Sequence, residues 1–320
     1  MFPTQTNAPV FVFAPMEGVT DAPMRQLITQ IANWDWCVTE FIRINDLVPP
    51  DKVFLKKVPE LLTGGKTLSG TSVSVQLLGG NAANLALSAK AAVDLGALAI
   101  DLNFGCPAPT VNRHDGGATL LKYPDRLFEI VSAVRKAVPD HIPVSAKLRL
   151  GWEDPSDCVR NAERVWSAGA SWITLHARTR MAGYSPPVFW DWIGKVAAQV
   201  KVPVVANGDI WNLDDFKTCA QVTGCQAFMF GRGALADPFL VDKARAVLAG
   251  RSVDSIPPPQ WRNWFLGLDQ VTAEHPRKSE VLASRCKQWG NFANRVRKND
   301  WFDRIKKQTT FESVLTALGE

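Results

Sequence analysis

No stretch of about 18 consecutive apolar residues occurs in the chain, which excludes a membrane-spanning helix. The opening residues, MFPTQTNAPVFVFAPM, carry neither a basic n-region nor a small-residue cleavage site. No signal peptide is expected, and the cytoplasm is the expected compartment. The six cysteines (Cys37, Cys106, Cys158, Cys219, Cys225 and Cys286) are dispersed, with no C-x-x-C pair. That argues against a structural zinc site and a disulfide framework, and it fits a reducing compartment. Cys37, Cys219 and Cys286 sit in apolar or helical contexts, where a cysteine serves as a small buried hydrophobe. Also missing are low-complexity segments, internal repeats beyond a βα unit, and a G-x-G-x-x-G turn after the first strand. Without that turn a doubly wound dinucleotide fold is disfavoured.

What is present suits a barrel. At 320 residues and 46% hydrophobic, the chain can build a (β/α)8 core with a small appendage. Eight short apolar runs read as strands: 10–14, 36–41, 72–78, 98–103, 144–150, 171–177, 203–207 and 227–231. Helical patterns follow most of them, clearly at 81–95, 124–138, 156–168, 188–200, 212–221 and 237–249. Strands alternating with helices predict an α/β fold, a (β/α)8 TIM barrel.

Within the strands, alternate residues face opposite ways. Val73, Val75 and Leu77 oppose Ser72, Ser74 and Gln76; Ile100 and Leu102 oppose Asp101 and Asn103. Apolar faces should meet the surrounding helices, leaving small and polar side chains inside the barrel. Bulky branched residues normally fill that space, so a cavity or a polar ligand is expected near the upper rim. The last polar residues of six strands, Glu40, Gln76, Asn103, Lys147, His176 and Asn207, all fall at C-terminal strand ends, where such barrels keep their active sites.

After Gly250 a proline-rich link, GRSVDSIPPPQW, leads to three helical segments near 261–275, 279–298 and 300–318. In the second, Leu282, Cys286, Trp289, Ala293 and Val296 form an apolar stripe. The division expected is a barrel over 1–250 and a C-terminal all-helical domain over 251–320. The formal net charge is only +5, but the tail concentrates Lys and Arg, including Arg285, Lys287 and Lys306. A polyanionic partner and an ordinary solvated helix surface are both open on charge alone.

Two glycine-bearing turns, VANGDIW (205–211) and FGRGAL (230–235), end the seventh and eighth predicted strands. Backbone N–H groups at such turns suit a phosphate, and Arg232 would add a charged donor. Lys147 could place a cation beside a bound ring system. Asp101–Leu121, DLNFGCPAPTVNRHDGGATLL, sets a lone cysteine between Gly105 and Pro107 where a strand ends. Two readings compete: a turn with a filler thiol, or a catalytic thiol on an active-site loop.

APMEGVTD (14–21), VQLLG (75–79), LNFGCP (102–107), KLRLGW (147–152), LHART (175–179), ANGDI (206–210) and GRGAL (231–235) occur in this order. Together they closely resemble the tRNA-dihydrouridine synthases, over the barrel end to end and more weakly over the tail. TVNRHDGGATLLKYP, ANGDIW and the segment around RCKQW look most like the bacterial C branch, which reduces uridine 16 of the tRNA D-loop. The resemblance implies FMN in the barrel mouth, NADPH as reductant and tRNA as partner, with no obligate protein partner. It assigns Pro15, Met16 and Glu17 to lining the flavin, and Gln76 and Lys147 to hydrogen-bonding its ring. His176 would sit beside the ring. Asn207, Gly208, Asp209, Gly231 and Arg232 would take the ribityl chain and phosphate. Cys106 is then the general acid, a role its largely protonated state near pH 7 permits. Asn103 could hydrogen-bond the uracil edge, and the target base must leave its stack. The C-branch pattern points to Arg43, Tyr184, Arg285, Lys287 and Lys306 for RNA contacts. Arg285 and Lys287, two residues apart, should lie on roughly opposite faces of a regular helix. The rival functions are an FMN barrel acting on a free pyrimidine and a non-catalytic RNA-binding protein on an inactive barrel.

Overall fold

The structure is a computed structural model that describes residues 8–112 and 115–319. Arg113 and His114 of the loop motif therefore lie outside the described residues. The strands are β1 Val10–Phe13, β2 Trp36–Val38, β3 Ile42–Arg43, β4 Ser72–Leu78, β5 Ile100–Phe104, β6 Val144–Arg149, β7 Trp172–His176, β8 Val204–Asn207 and β9 Ala227–Phe230. All of these strands pair in parallel. The ladder runs β2-β1-β9-β8-β7-β6-β5-β4-β3, and a β2–β4 pairing closes β1, β2 and β4–β9 into an eight-stranded TIM barrel. The α/β barrel expected from the strand–helix alternation is the fold observed. Among the described residues no helix is long and apolar enough to cross a membrane.

One predicted strand, 36–41, divides. Trp36–Val38 pairs with Ser72–Ser74, whereas Ile42 and Arg43 pair further along β4 with Leu77 and Leu78. The gap is stitched by Thr39, whose N–H donates to the Ser74 carbonyl while its hydroxyl accepts from the Gln76 N–H. Glu40 and Phe41, released from the ladder by this break, turn into the barrel mouth.

The two faces of the strands divide as their alternation predicts. Outward residues such as Phe11, Phe13, Val75, Leu102, Leu148, Leu175 and Phe230 join the helices in the main core. Inside, the N-terminal end is plugged by Val10, Val12, Trp36, Val38, Trp172, Val205 and Met229. Trp36 and Trp172 meet edge to face at 6.1 Å. Above this plug the interior turns polar with Ser74, Asp101, Ser145 and Thr174, all buried.

Beyond the link, helices span Trp261–Val271, Lys278–Val296, Asp300–Ile305 and Phe311–Leu318. The continuous helix expected over 300–318 is broken, and the cause is local. Thr310 caps the last helix through a reciprocal capping box with Ser313, satisfying N–H groups that a through-going helix would have bonded internally. Of the predicted apolar stripe, Leu282, Cys286, Trp289 and Ala293 are buried, while Val296 is exposed. Trp289 packs at 5.7 Å from Trp261 and 6.1 Å from Trp264. Its indole N–H donates to the Leu235 carbonyl at 2.8 Å, so the tail closes directly on the segment after β9. Gly267 allows helix Trp261–Val271 to approach helix Ala22–Ile31, since a Cβ there would lie 2.8 Å from Leu27 Cδ1.

Candidate active site

The six strand-end polar residues Glu40, Gln76, Asn103, Lys147, His176 and Asn207 all line one cavity of about 610 Å3 at the C-terminal rim. Parallel in-register strands bring five of them there, Asn103 beside Lys147 and His176 beside Asn207, and Glu40 enters through the break after β2. Cys106, Pro15, Met16, Glu17, Gly208, Asp209, Gly231, Arg232 and Tyr184 line the same cavity. Arg43, Arg285, Lys287 and Lys306 do not line it.

The Cys106 loop is fixed through its backbone. Asn103 Oδ1 accepts from the N–H groups of Gly105 and Cys106, both at 3.0 Å. The Cys106 carbonyl accepts from Asn112 Nδ2 at 3.0 Å and from Ala118 N at 3.1 Å, and Gly105 O accepts from Arg149 Nε at 2.8 Å. Gly117 is required beneath it: at φ +59°, a Cβ would lie 2.9 Å from the Cys106 carbonyl oxygen. Cys106 is the one cysteine that is not buried. Partial burial pushes its thiol up; the Ala108 N–H and the Arg149 and Arg43 guanidinium groups oppose that rise. The thiol therefore keeps its proton at neutral pH.

The same cavity has a cationic wall. Burial, then neighbouring Arg149, lowers the Lys147 ammonium to about 8, and Lys147 Nζ donates to Asn207 Oδ1 at 2.9 Å. His176 is held neutral, chiefly by burial and then by Arg149, Lys147, Arg178 and Arg232 around it. Asp209 bridges two of these cations, accepting from Arg178 and, at 2.6 Å, from Arg232. The Arg232 guanidinium also lies 4.6 Å from the Trp211 ring centroid and 5.0 Å from that of Tyr184. The turns after β8 and β9 interlock, because a Cβ on Gly233 would lie 2.0 Å from the Ile210 carbonyl. Buried His176 Nδ1 has no partner within the protein and belongs to a residue that lines the cavity, where an unpaired polar atom suits a ligand; Arg178, which does not line the cavity, stands behind the wall and holds Asp209.

Sequence reasoning passed over several members of the site. Arg149 is 3% exposed and ties the Cys106 loop to the Thr179 and Gly183 carbonyls. Its signal was the strand alternation itself, since it lies two residues beyond Lys147. Asp101 and Arg178 are buried supports of the wall. Phe292, contributed to the cavity by helix Lys278–Val296, had no signal in the barrel motifs.

The RNA-contact candidates of the tail are engaged within the protein. Arg285 Nη2 donates to Asp21 Oδ1 at 2.5 Å, with its side chain 17% exposed. Lys287 Nζ donates to the Gln308 carbonyl at 2.7 Å. Lys306 pairs with Asp303 at 2.5 Å on the surface. Arg43 is exposed at the end of β3, and Tyr184 is 59% exposed.

Parallel barrels work at this rim, and a protonated thiol that shares one rim cavity with buried cations suits an enzyme of the (β/α)8 class. The comparisons carry the assignment further. The family model "Dihydrouridine synthase (Dus)" matches residues 12–317. The tRNA-dihydrouridine(16) synthase of Shewanella oneidensis is 46% identical over 313 residues, 97% of each chain. That of Neisseria meningitidis serogroup B is 40% identical over 326 residues, 100% of this chain and 98% of the relative. The chain belongs to the dihydrouridine synthase family. Among solved structures, histamine dehydrogenase from Rhizobium sp. 4-9 superposes with a TM-score of 0.55 at 15% identity, covering 85% of this chain and 50% of that one. At that identity the likeness speaks for the barrel alone.

Proposed function

We propose that the protein reduces uridine in the D-loop of tRNA, at position 16, to 5,6-dihydrouridine, with FMN as resident cofactor and NADPH as reductant. The observation that carries this reading is the cavity, whose lining joins a protonated, backbone-anchored thiol to a set of buried cations around space of flavin size. The residues present fit FMN. The unpaired His176 Nδ1, the glycine turns at Gly208 and Gly231, and Lys147 and Arg232 offer polar groups suited to a ring and a phosphate. Pro15, Met16, Glu17 and Gln76 would line the ring side. Asp209 acts by holding Arg178 and Arg232 in place.

When bound, the flavin supplies a hydride to C6 of the uracil ring. Cys106 gives its proton to C5, and burial keeps that proton available at neutral pH. Arg149 and Arg43 stabilise the thiolate left behind. Asn103 donates to the edge of the base, and Tyr184 stands at the rim where an everted nucleotide would enter. Residues 1–250 form the catalytic part; 251–320 form the RNA-binding part, with Arg43, Arg285, Lys287 and Lys306 as RNA contacts.

The test is direct. Purified protein should release FMN on denaturation and, with NADPH, convert unmodified tRNA so that mass spectrometry maps one dihydrouridine to position 16. Free uridine should be turned over far more slowly. Equal turnover of free uridine would favour a pyrimidine oxidoreductase, and colourless, inactive protein that still binds tRNA would favour a non-catalytic binder.

A further inference from the structure

From Asn103 and Gln76 in the cavity lining, a chain of buried side chains runs down to Asp101, which does not line the cavity and which the reaction itself does not use. Asp101, 1% exposed, accepts from Ser145 Oγ at 2.6 Å and from Gln76 Nε2 at 2.7 Å. Gln76 Oε1 then accepts from Asn103 Nδ2 at 2.9 Å, and Asn103 Oδ1 accepts from the N–H groups of Gly105 and Cys106. The direction of this chain is fixed at both ends. Backbone N–H groups can only donate, so the Asn103 oxygen must face the Cys106 loop. Its amide nitrogen must then meet the Gln76 oxygen, and the Gln76 nitrogen must find an acceptor below. The Asp101 carboxylate is that acceptor, and each of its oxygens already takes one hydrogen bond.

We propose that Asp101 is a positioning residue that sets the polarity of the Gln76–Asn103 amide relay, so that the Cys106 loop is held and Asn103 offers the cavity only a donor. Both acceptor positions of Asn103 Oδ1 are used by the loop, which leaves one Nδ2 proton to face a ligand. A donor at that position suits a ring carbonyl and opposes an exocyclic amine, so the relay favours a base of the uracil type over one of the cytosine type. The preference for uracil rests on the function proposed above. The relay itself does not, because it concerns the geometry of the thiol.

A double-mutant cycle tests it on the flavin-loaded protein. Asn103→Asp keeps the shape but removes the donor. Whichever way Gln76 then turns, its oxygen faces a carboxylate. Asp101→Asn in that background reverses the relay, with the new amide donating to Gln76 Oε1 and accepting from Ser145. The readout is the alkylation rate of Cys106 by iodoacetamide, which is selective because the other five cysteines are buried. Asn103→Asp should change that rate roughly tenfold, the scale of one lost buried hydrogen bond. The Asn103→Asp/Asp101→Asn protein should return to within about threefold of the parent. Asn103→Asp/Asp101→Leu removes the same charge without supplying a donor and should stay perturbed. Uridine reduction should remain low in the reversed protein, since an acceptor now faces the base. Additive effects of Asn103→Asp and Asp101→Asn, or equal rescue by leucine, would overturn the relay. Restored uridine reduction in the reversed protein would overturn the donor role of Asn103. Failure of the parent protein to reduce tRNA at all would count against the proposed function and leave the alkylation result standing.

Discussion

Cys106→Ala removes the proposed acid while leaving its scaffold intact. The hydrogen bonds that anchor the loop to the barrel run through the backbone of Gly105 and Cys106, to Asn103, Asn112, Ala118 and Arg149, and the sulfur takes only the Ala108 N–H. Losing one half-buried sulfur should therefore cost about 1 kcal/mol or less in stability. The chemical step should lose about two to four orders of magnitude, the usual contribution of a positioned general acid, or about 2.7–5.5 kcal/mol of barrier. The assay is a single turnover: reduce the bound flavin with NADPH without oxygen, mix with unmodified tRNA, and follow flavin reoxidation and dihydrouridine together. Reduction by NADPH should be unchanged, because the thiol takes no part in it. In the parent protein the single-turnover rate should stay level through neutral pH. It should fall only above the ordinary thiol range of about 8.5, because burial raises the Cys106 thiol and the acid is lost only as pH passes that raised value. A Cys106→Ala protein that reduces tRNA at the parent rate, or a rate already falling between pH 6 and 7, would refute the assignment.

Other perturbations read other parts of the site. Lys147→Ala and Arg232→Ala should each weaken FMN retention about 10- to 100-fold, the worth of one charge-assisted hydrogen bond, measured by flavin titration of stripped protein. Lys147 is protonated below about 8 and neutral above it. FMN affinity should therefore fall as pH rises through about 8 in the parent protein, and this step should vanish in Lys147→Ala. Phe292→Ala opens the cavity wall that the tail contributes and should raise the flavin dissociation rate, seen by stopped-flow fluorescence, with little change in melting temperature; an unchanged rate would show that the tail does not close the pocket. Arg285→Ala/Lys287→Ala should weaken tRNA binding and lower the slope of log K against log salt by roughly one unit or less per lost phosphate contact; an unchanged affinity and slope would remove both residues from the interface.

The barrel was legible because two independent periodicities agree in it. Strand–helix alternation reports the layers. The two-residue alternation within Ser72–Leu78, Ile100–Phe104 and Val144–Arg149 reports which side chains look inward, so the rim residues could be named before any geometry was known. The two glycine turns were legible for a related reason: Gly208 and Gly233 sit where backbone conformation or close approach admits no side chain. What escaped depends on contacts between distant segments. The break after Val38 follows from Thr39 bonding to β4, and no local pattern marks it. Arg149 and Asp101 looked like ordinary polar positions, because their roles lie in partners on neighbouring strands. The break before Thr310 rests on a capping box whose third position is Ser313 rather than the Glu or Gln that marks such a box in a sequence. Phe292 reaches the cavity only because Trp289, three residues earlier, docks on Leu235, and no property of residues 278–296 alone announces that docking.

The same docking decides how the tail mutants are to be interpreted. Arg285 and Lys287 project in roughly opposite directions from their helix, and each already has a partner. Arg285 reaches Asp21, which caps helix Ala22–Ile31 by accepting from the Met24 N–H. Lys287 reaches Gln308 within the tail. An RNA phosphate that takes Arg285 must share it with Asp21 or draw it away, so a lower affinity in Arg285→Ala mixes a lost phosphate contact with a lost internal bond. The two contributions respond differently to salt. A partly exposed ion pair such as Arg285–Asp21, whose side chains are 17% and 41% exposed, contributes about 1 kcal/mol and does not enter the count of counterions released from the RNA. A phosphate contact does enter that count, and it changes the slope as well as the affinity. Asp21→Asn separates them further, for it frees Arg285 while leaving its charge in place. If Arg285 holds the tRNA backbone, Asp21→Asn should bind tRNA at least as tightly as the parent with the same salt slope, and Arg285→Ala should bind more weakly with a shallower one. If Arg285 serves only to dock the tail on the barrel, both substitutions should weaken tRNA binding alike and leave the slope unchanged.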